Sequence, residues 1–240
     1  MNRRPIVVLS LVVGLLAGPA AAAEGLRVFI FSGQNNHNWR ETTPQLKTIL
    51  ETSGRFAVEV TEQPARCDAA TLAKYDVIVS DWNTWGPAAV KEWPDAMRAA
   101  FLDFVRNGKG FAVVHAGGSS FTDWPEYQQI AGAWWELGQT SHGAPHRFTV
   151  QPVADHPITR GLQAFSTTDE LWQKPGIHPA ATVLATGDEQ PLALVTRLGQ
   201  GRGFALLLGH SAAFMEPPGF QILLRRGVEW AATGQVSAKE

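Results

Sequence analysis

Short apolar runs alternate along this chain with segments of helical periodicity, and no other feature restricts the fold so tightly. Arg27-Val28-Phe29-Ile30-Phe31 is a compact strand signal ending at Ser32-Gly33. Leu46, Ile49 and Leu50 then fall at helical spacing, which predicts a helix from Pro44 to Ser53 with Thr42 or Thr43 as cap and Gly54 as stop. Phe56 to Val60 alternates as an outer strand does, Leu72 and Tyr75 mark a short helix, and Asp76 to Ser80 reads as a buried strand. A helix from about Ala88 to Arg106 carries Met97, Phe101, Leu102 and Val105 on one face and stops at Asn107-Gly108. Gly110 to His115 is a further buried strand. Strands separated by helices predict a parallel sheet covered on both faces, a three-layer α/β sandwich.

Beyond His115 the pattern loosens. Glu126 to Leu137 is expected to be helical, Gly138 to Pro145 a loop, and Arg147 to Gln151 a strand. Strands follow at Thr182 to Thr186, Leu192 to Arg197 and Gly203 to Leu208, then a closing helix from Gly219 to Ala232. No repeat or low-complexity linker divides residues 24–240, so one domain is expected there.

Residues 1–23 read as an export leader: Arg3 and Arg4, an apolar run from Ile6 to Ala17, and Ala21-Ala22-Ala23 as a cleavage site. The run is shorter than the ~20 residues that span a bilayer. A periplasmic or secreted protein with no membrane span after cleavage is expected. Without Arg3 and Arg4 the chain has 18 basic and 22 acidic residues, so it lacks the basic footprint of a nucleic-acid binder. Cys67 is the only cysteine, which excludes an internal disulfide. Homo-oligomerisation stays open.

In open parallel sheets, ligands collect beyond the carboxyl ends of the strands. Unusual residues stand at those ends: His37 and Trp39 after the first, Asp81 after the third, His115 before Gly117-Gly118, and His210 after Gly209. His115 lies where an elbow presents a nucleophile, and as an imidazole it can move a proton or bind a metal. Its alternative is a histidine satisfied by backbone. His142 and His146 are four apart, but Gly143 and Pro145 argue against a helix, so they are loop candidates for metal or solvent-exposed residues. Asp169-Glu170 supplies either a general base and a sugar-hydroxyl acceptor or the solvated acids of a turn. Trp39, Trp82, Trp85, Trp124 and Trp172 are read as loop residues, where indole planes can stack on sugar rings. His156 and His178 read as local turn residues.

The order of these motifs carries a resemblance. His37-Asn38-Trp39, Gly108-Lys109-Gly110, Val113-Val114-His115-Ala116-Gly117, Gly143-Ala144-Pro145-His146, Asp155-His156-Pro157-Ile158-Thr159-Arg160-Gly161-Leu162, Thr168-Asp169-Glu170 and Gly199 to His210 together resemble the ThuA-like (trehalose utilisation) family over nearly all of residues 24–240. The resemblance implies a class I glutamine amidotransferase-like, flavodoxin-related fold with His115 in place of the cysteine nucleophile. It also implies a carbohydrate setting, including oxidised keto-sugars, and His37, His115, His146, Glu170 and His210 as pocket residues. Glutamine hydrolysis is not expected, because Cys67 lies outside the elbow.

The expected function is therefore that of an exported enzyme, a lyase, isomerase or hydrolase, acting on a keto-sugar or glycoside. His115 and Glu170 are its expected catalytic pair, and His37, Trp39, Asp81, Asp169 and Trp172 its substrate-binding residues. His142, His146 and His210 are candidate ligands of a divalent metal. A carbohydrate-binding protein without turnover is the alternative, and a purely structural partner module, with no pocket at the strand ends, the third reading.

Overall fold

The computed structural model describes residues 25–85 and 92–237. In chain order the elements are β1 (Leu26–Phe31), α1 (Trp39–Glu51), β2 (Phe56–Thr61), α2 (Ala69–Leu72), β3 (Val77–Ser80), α3 (Asp95–Arg106), β4 (Gly110–Val114), α4 (Pro125–Ala131), β5 (Ala133–Trp134), β6 (Ser141–His142), β7 (His146–Pro152), β8 (Phe165–Asp169), β9 (Trp172–Gln173), β10 (Gly176–Ile177), β11 (Thr182–Gly187), β12 (Gln190–Leu198), β13 (Gly201–Leu206) and α5 (Pro218–Thr233). Nine strands form one sheet in the order β2-β1-β3-β4-β13-β12-β11-β7-β8. The neighbours from β2 to β13 are parallel, and those from β13 to β8 antiparallel.

Strand periodicity explains the three layers. Val28 and Ile30 of β1, with Ala112 and Val114 of β4, face Leu46, Ile49 and Leu50 of α1 and Leu223, Leu224 and Val228 of α5. The alternate residues Phe29, Phe31, Phe111 and Val113 point to the other face, where Met97, Phe101 and Phe104 of α3 and Tyr127 and Ile130 of α4 cover them. β3 and β4 are buried throughout, so their apolar runs are unbroken.

Several boundaries differ from expectation. α1 starts at Trp39, not Pro44, and Thr42 and Thr43 do not cap it. Their hydroxyls instead donate to Asp81 in the interior, at 2.7 Å each. α3 begins at Asp95, because Pro94 disfavours helical geometry in the residue before it. The earlier part of that predicted helix falls partly on 86–91, outside the described residues, as does the leader at 1–23. α4 stops at Ala131, where Gly132 takes the left-handed conformation at φ 78°, and Ala133–Trp134 then pairs with Gly176–Ile177. Phe165–Asp169 forms a strand that the sequence did not suggest, since β8 is an edge strand with only Thr167 and Asp169 turned fully inward. No helix among the described residues is long and apolar enough to cross a membrane.

Candidate active site at the strand ends

The carboxyl ends of β1, β4, β8 and β13 meet at Glu170. His115 follows β4 directly and has a positive φ of 37°, so the chain turns sharply there into a short 3-10 segment. That elbow needs Gly117, because a side chain at 117 would strike the backbone oxygen of Ser80. The His115 ring is buried, and its Nδ1–H donates to the Leu207 carbonyl at 2.9 Å, which leaves Nε2 facing Glu170 Oε1 at 3.5 Å. His210, beyond β13, brings Nδ1 to 3.3 Å from Glu170 Oε2. His142, in β6, reaches the same oxygen at 3.0 Å from the pocket mouth, with its Nδ1–H shared with the Gly143 carbonyl.

His37 completes the group. Its ring lies 5.0 Å from that of His115 and 4.6 Å from that of His210, nearly perpendicular to both. His37 Nδ1–H donates to Asn35 Oδ1 at 3.0 Å, and Asn35 Nδ2 in turn donates to Asp81 Oδ1 at 3.1 Å. Asp81 and Asp169 are thus positioning groups, both buried beyond reach of a substrate. Asp169 accepts from the backbone N–H of Gly209, His210 and Glu170 at 2.6, 3.1 and 2.8 Å, fixing the two chain segments that carry Glu170 and His210.

The electrostatics follow from this crowding. Burial opposes ionisation of Glu170, but His115 and His210 outweigh it and hold the carboxyl well below the usual carboxylate range. The His210 imidazole is raised by its contact with Glu170, against the effect of burial. His37 is pushed down to about 3, first by burial and then by His115 and His210, so its inner nitrogen carries a lone pair.

Above these groups lies a cavity of about 80 Å³ lined by Asn36, His37, Trp85, Ser119, Trp135, His142, Glu170 and Trp172. That holds a few waters or the reacting edge of a sugar ring, at ~30 Å³ per water. Trp172 packs against His115, and Trp135 touches both Trp172 and His142.

Of the residues singled out in the sequence, His37, His115, Glu170, His210, His142 and Trp172 converge here. His146 does not: β7 pairs it in register with Asp169, but its ring turns outward to Asp188 at 3.1 Å on the surface. Trp39 is also elsewhere, stacked under Arg40 and lining a separate groove with Lys47 and Val60. Trp82 and Trp124 are core residues rather than loop stacking surfaces. The trio His142, His146 and His210 therefore cannot share a metal. The groups whose ligand atoms all lie within 4.8 Å of one another are His37, His115, Glu170 and His210. Sequence reasoning missed Trp135 and the anchoring roles of Asn35 and the Leu207 carbonyl. The Gln34-Asn35-Asn36 run was a signal for the former anchor, whereas a backbone carbonyl leaves none.

A family model for ThuA, described as trehalose utilisation, matches residues 27–231. The chain belongs to the ThuA family. Among solved structures, a ThuA-like protein from Parabacteroides merdae is 29% identical with a TM-score of 0.79, over 90% of this chain and 93% of that one. A ThuA-like protein from Bacteroides uniformis is 19% identical (TM-score 0.67, 91% and 98% coverage), and shares the fold. So does a cytoplasmic protein from Salmonella typhimurium LT2, 18% identical at a TM-score of 0.66 over 87% of this chain and 100% of that one. No curated protein matches the chain by sequence. As a ThuA-family protein it is placed among proteins of carbohydrate utilisation.

Proposed function

We propose that this ThuA-family chain is an enzyme that moves a proton at the carbon beside a carbonyl of a keto-sugar or glycoside. The observation that carries the reading is the Glu170 carboxylate, ringed by imidazoles from four separated parts of the chain beneath indole walls. His142 is the half-exposed member of that ring. Its Nδ1–H is engaged by Gly143 and Glu170, so the lone pair of the neutral ring is on Nε2, the nitrogen available to a substrate. In the proposed step the C–H bond breaks toward this nitrogen, and its electron pair moves onto the carbonyl oxygen as an enolate. Return of the proton to the former carbonyl carbon, with the hydroxyl proton of the adjacent carbon passing to the enolate oxygen, completes an isomerisation. Expulsion of the glycosidic oxygen, which takes the proton from His142, completes an elimination. Glu170 orients His142 and stabilises its imidazolium, while His115 and His210 hold Glu170 from behind.

Product analysis of purified protein with keto-disaccharides and their unoxidised parents tests this. Glu170→Ala and His142→Ala are expected to slow turnover by roughly 10²–10⁴. Undiminished rates in both variants would remove the assigned roles. The indole walls of Trp85, Trp135 and Trp172 also support a second reading, sugar binding without chemistry, which predicts a bound sugar recovered unchanged. The charged start and alanine-rich end of residues 1–23 support export to the periplasm or medium, with Glu24 as the first residue of the mature chain. N-terminal sequencing that finds Met1 on exported protein would refute it.

A further inference from the structure

We propose that His37, His115, His210 and Glu170 form a binding site for one divalent first-row transition-metal ion of the zinc or cobalt kind. The proposal deepens the reading above, and rests on it only for the ion's task.

The distances point first to a cation. Glu170 Oε1 lies 3.5 Å from His115 Nε2 and Glu170 Oε2 lies 3.3 Å from His210 Nδ1. Charge-assisted N–H···O bonds are shorter, at about 2.7–2.9 Å. Ligands held about 2.0–2.1 Å from a tetrahedral ion stand about 3.3 Å apart, close to these two contacts, and one ligand atom from each of the four residues lies within 4.8 Å of all the others.

Second, His115 Nε2 and His210 Nδ1 are buried atoms without a hydrogen-bond partner. Native interiors rarely leave such atoms unsatisfied, and an ion between them would satisfy both. Third, the outer nitrogens are already occupied: His115 Nδ1–H by the Leu207 carbonyl and His37 Nδ1–H by Asn35 Oδ1. Metal-bound histidines are oriented in this way, with one N–H anchored and the opposite lone pair aimed at the ion. The three rings stand edge to face at 82–90°, with centroids 4.6–5.3 Å apart, so none blocks the lone pair of another.

Charge points the same way. Asp81 and Asp169 are buried behind the imidazoles, and among the described residues the ion pairs of Glu170 are all with histidines, none with lysine or arginine. Three imidazoles with one carboxylate suit zinc, cobalt, iron or manganese, whereas magnesium and calcium prefer oxygen ligands throughout. On expanding to a fifth position for the substrate oxygen, such an ion would polarise the sugar carbonyl and stabilise the enolate, leaving His142 outside the ligand set to take the proton.

Cobalt(II) is the probe, because its visible d–d absorption reports nitrogen and oxygen ligation without any assay of turnover. Chelator-treated protein, shown folded by circular dichroism, is expected to bind one cobalt per chain in equilibrium dialysis. His37→Ala and His210→Ala are expected to weaken binding at least ~100-fold, and Asn35→Ala by ~10–100-fold through the lost anchor. His142→Ala should keep the cobalt spectrum. His37, His210 and Asn35 carry the test because His115 is packed in the core, where truncation also perturbs folding. Absence of bound cobalt on folded protein overturns the proposal, as does unchanged affinity in both His37→Ala and His210→Ala. Cobalt binding without keto-sugar turnover would leave the metal site standing and remove the reaction. Turnover by exhaustively chelated protein that binds no cobalt would do the reverse.

Discussion

Asp81 organises the site although it never reaches the pocket. Its carboxylate receives Thr42, Thr43 and Asn35, and Asn35 in turn aims His37. Asp81→Asn puts an amide donor where hydroxyl donors converge, which is expected to cost about 1–3 kcal/mol in urea unfolding. Burial pushes the Asp81 carboxyl up to about 6 despite these donors. A carboxyl whose folded value exceeds its unfolded one contributes stability that is present below about pH 4 and lost as pH rises through about 6. The destabilisation by Asp81→Asn is therefore largest near pH 4 and shrinks toward pH 7. A penalty that grows over that interval would contradict the assignment. The sequence showed Asp81 as a strand-end acid, but whether it faces substrate or protein depends on the threonines of α1, which the local pattern marked only as caps.

Among the elements, α5 packs against β13 with no space between them at Gly227. Gly227 of α5 meets the Phe204 ring of β13, and a methyl group there would overlap it. Gly227→Ala gains about 1 kcal/mol in helix propensity. Overpacking typically costs about 1–3 kcal/mol, so the net effect is expected to be destabilising and visible as a lower melting temperature. A rise in melting temperature would show that the helix can shift outward freely. Strands buried on both faces, such as β3 and β4, were plain in the sequence because nothing polar interrupts them. β8 was not, because an edge strand can carry Ser166 and Thr168 outward and so resembles a turn. The two-residue strands β5, β6, β9 and β10 were also unreadable, since pairs so short have no periodicity of their own.

For the molecule as a whole, the proposed ion would tie together ends of the chain from His37 to His210. Binding to the folded state alone stabilises it by about 2.7 kcal/mol at a free metal concentration one hundred times Kd. For a domain of this size, that corresponds to a rise of about 5–10 °C in melting temperature. Zinc or cobalt is expected to produce the rise in the wild-type chain, and EDTA to abolish it. His37→Ala should show neither effect, and an equal metal-dependent shift in that variant would point to binding elsewhere. Local periodicity by itself determined the three layers, the parallel order of the first half and the placing of His37, His115 and His210 at strand ends, because each follows from which neighbouring residues are apolar. Only the tertiary structure decided that His142 joins Glu170 while His146 turns to Asp188. That choice depends on β6 pairing with β9, and β7 with β8. Register between strands so far apart in the chain is set by what the whole core can bury, which no local run of residues encodes.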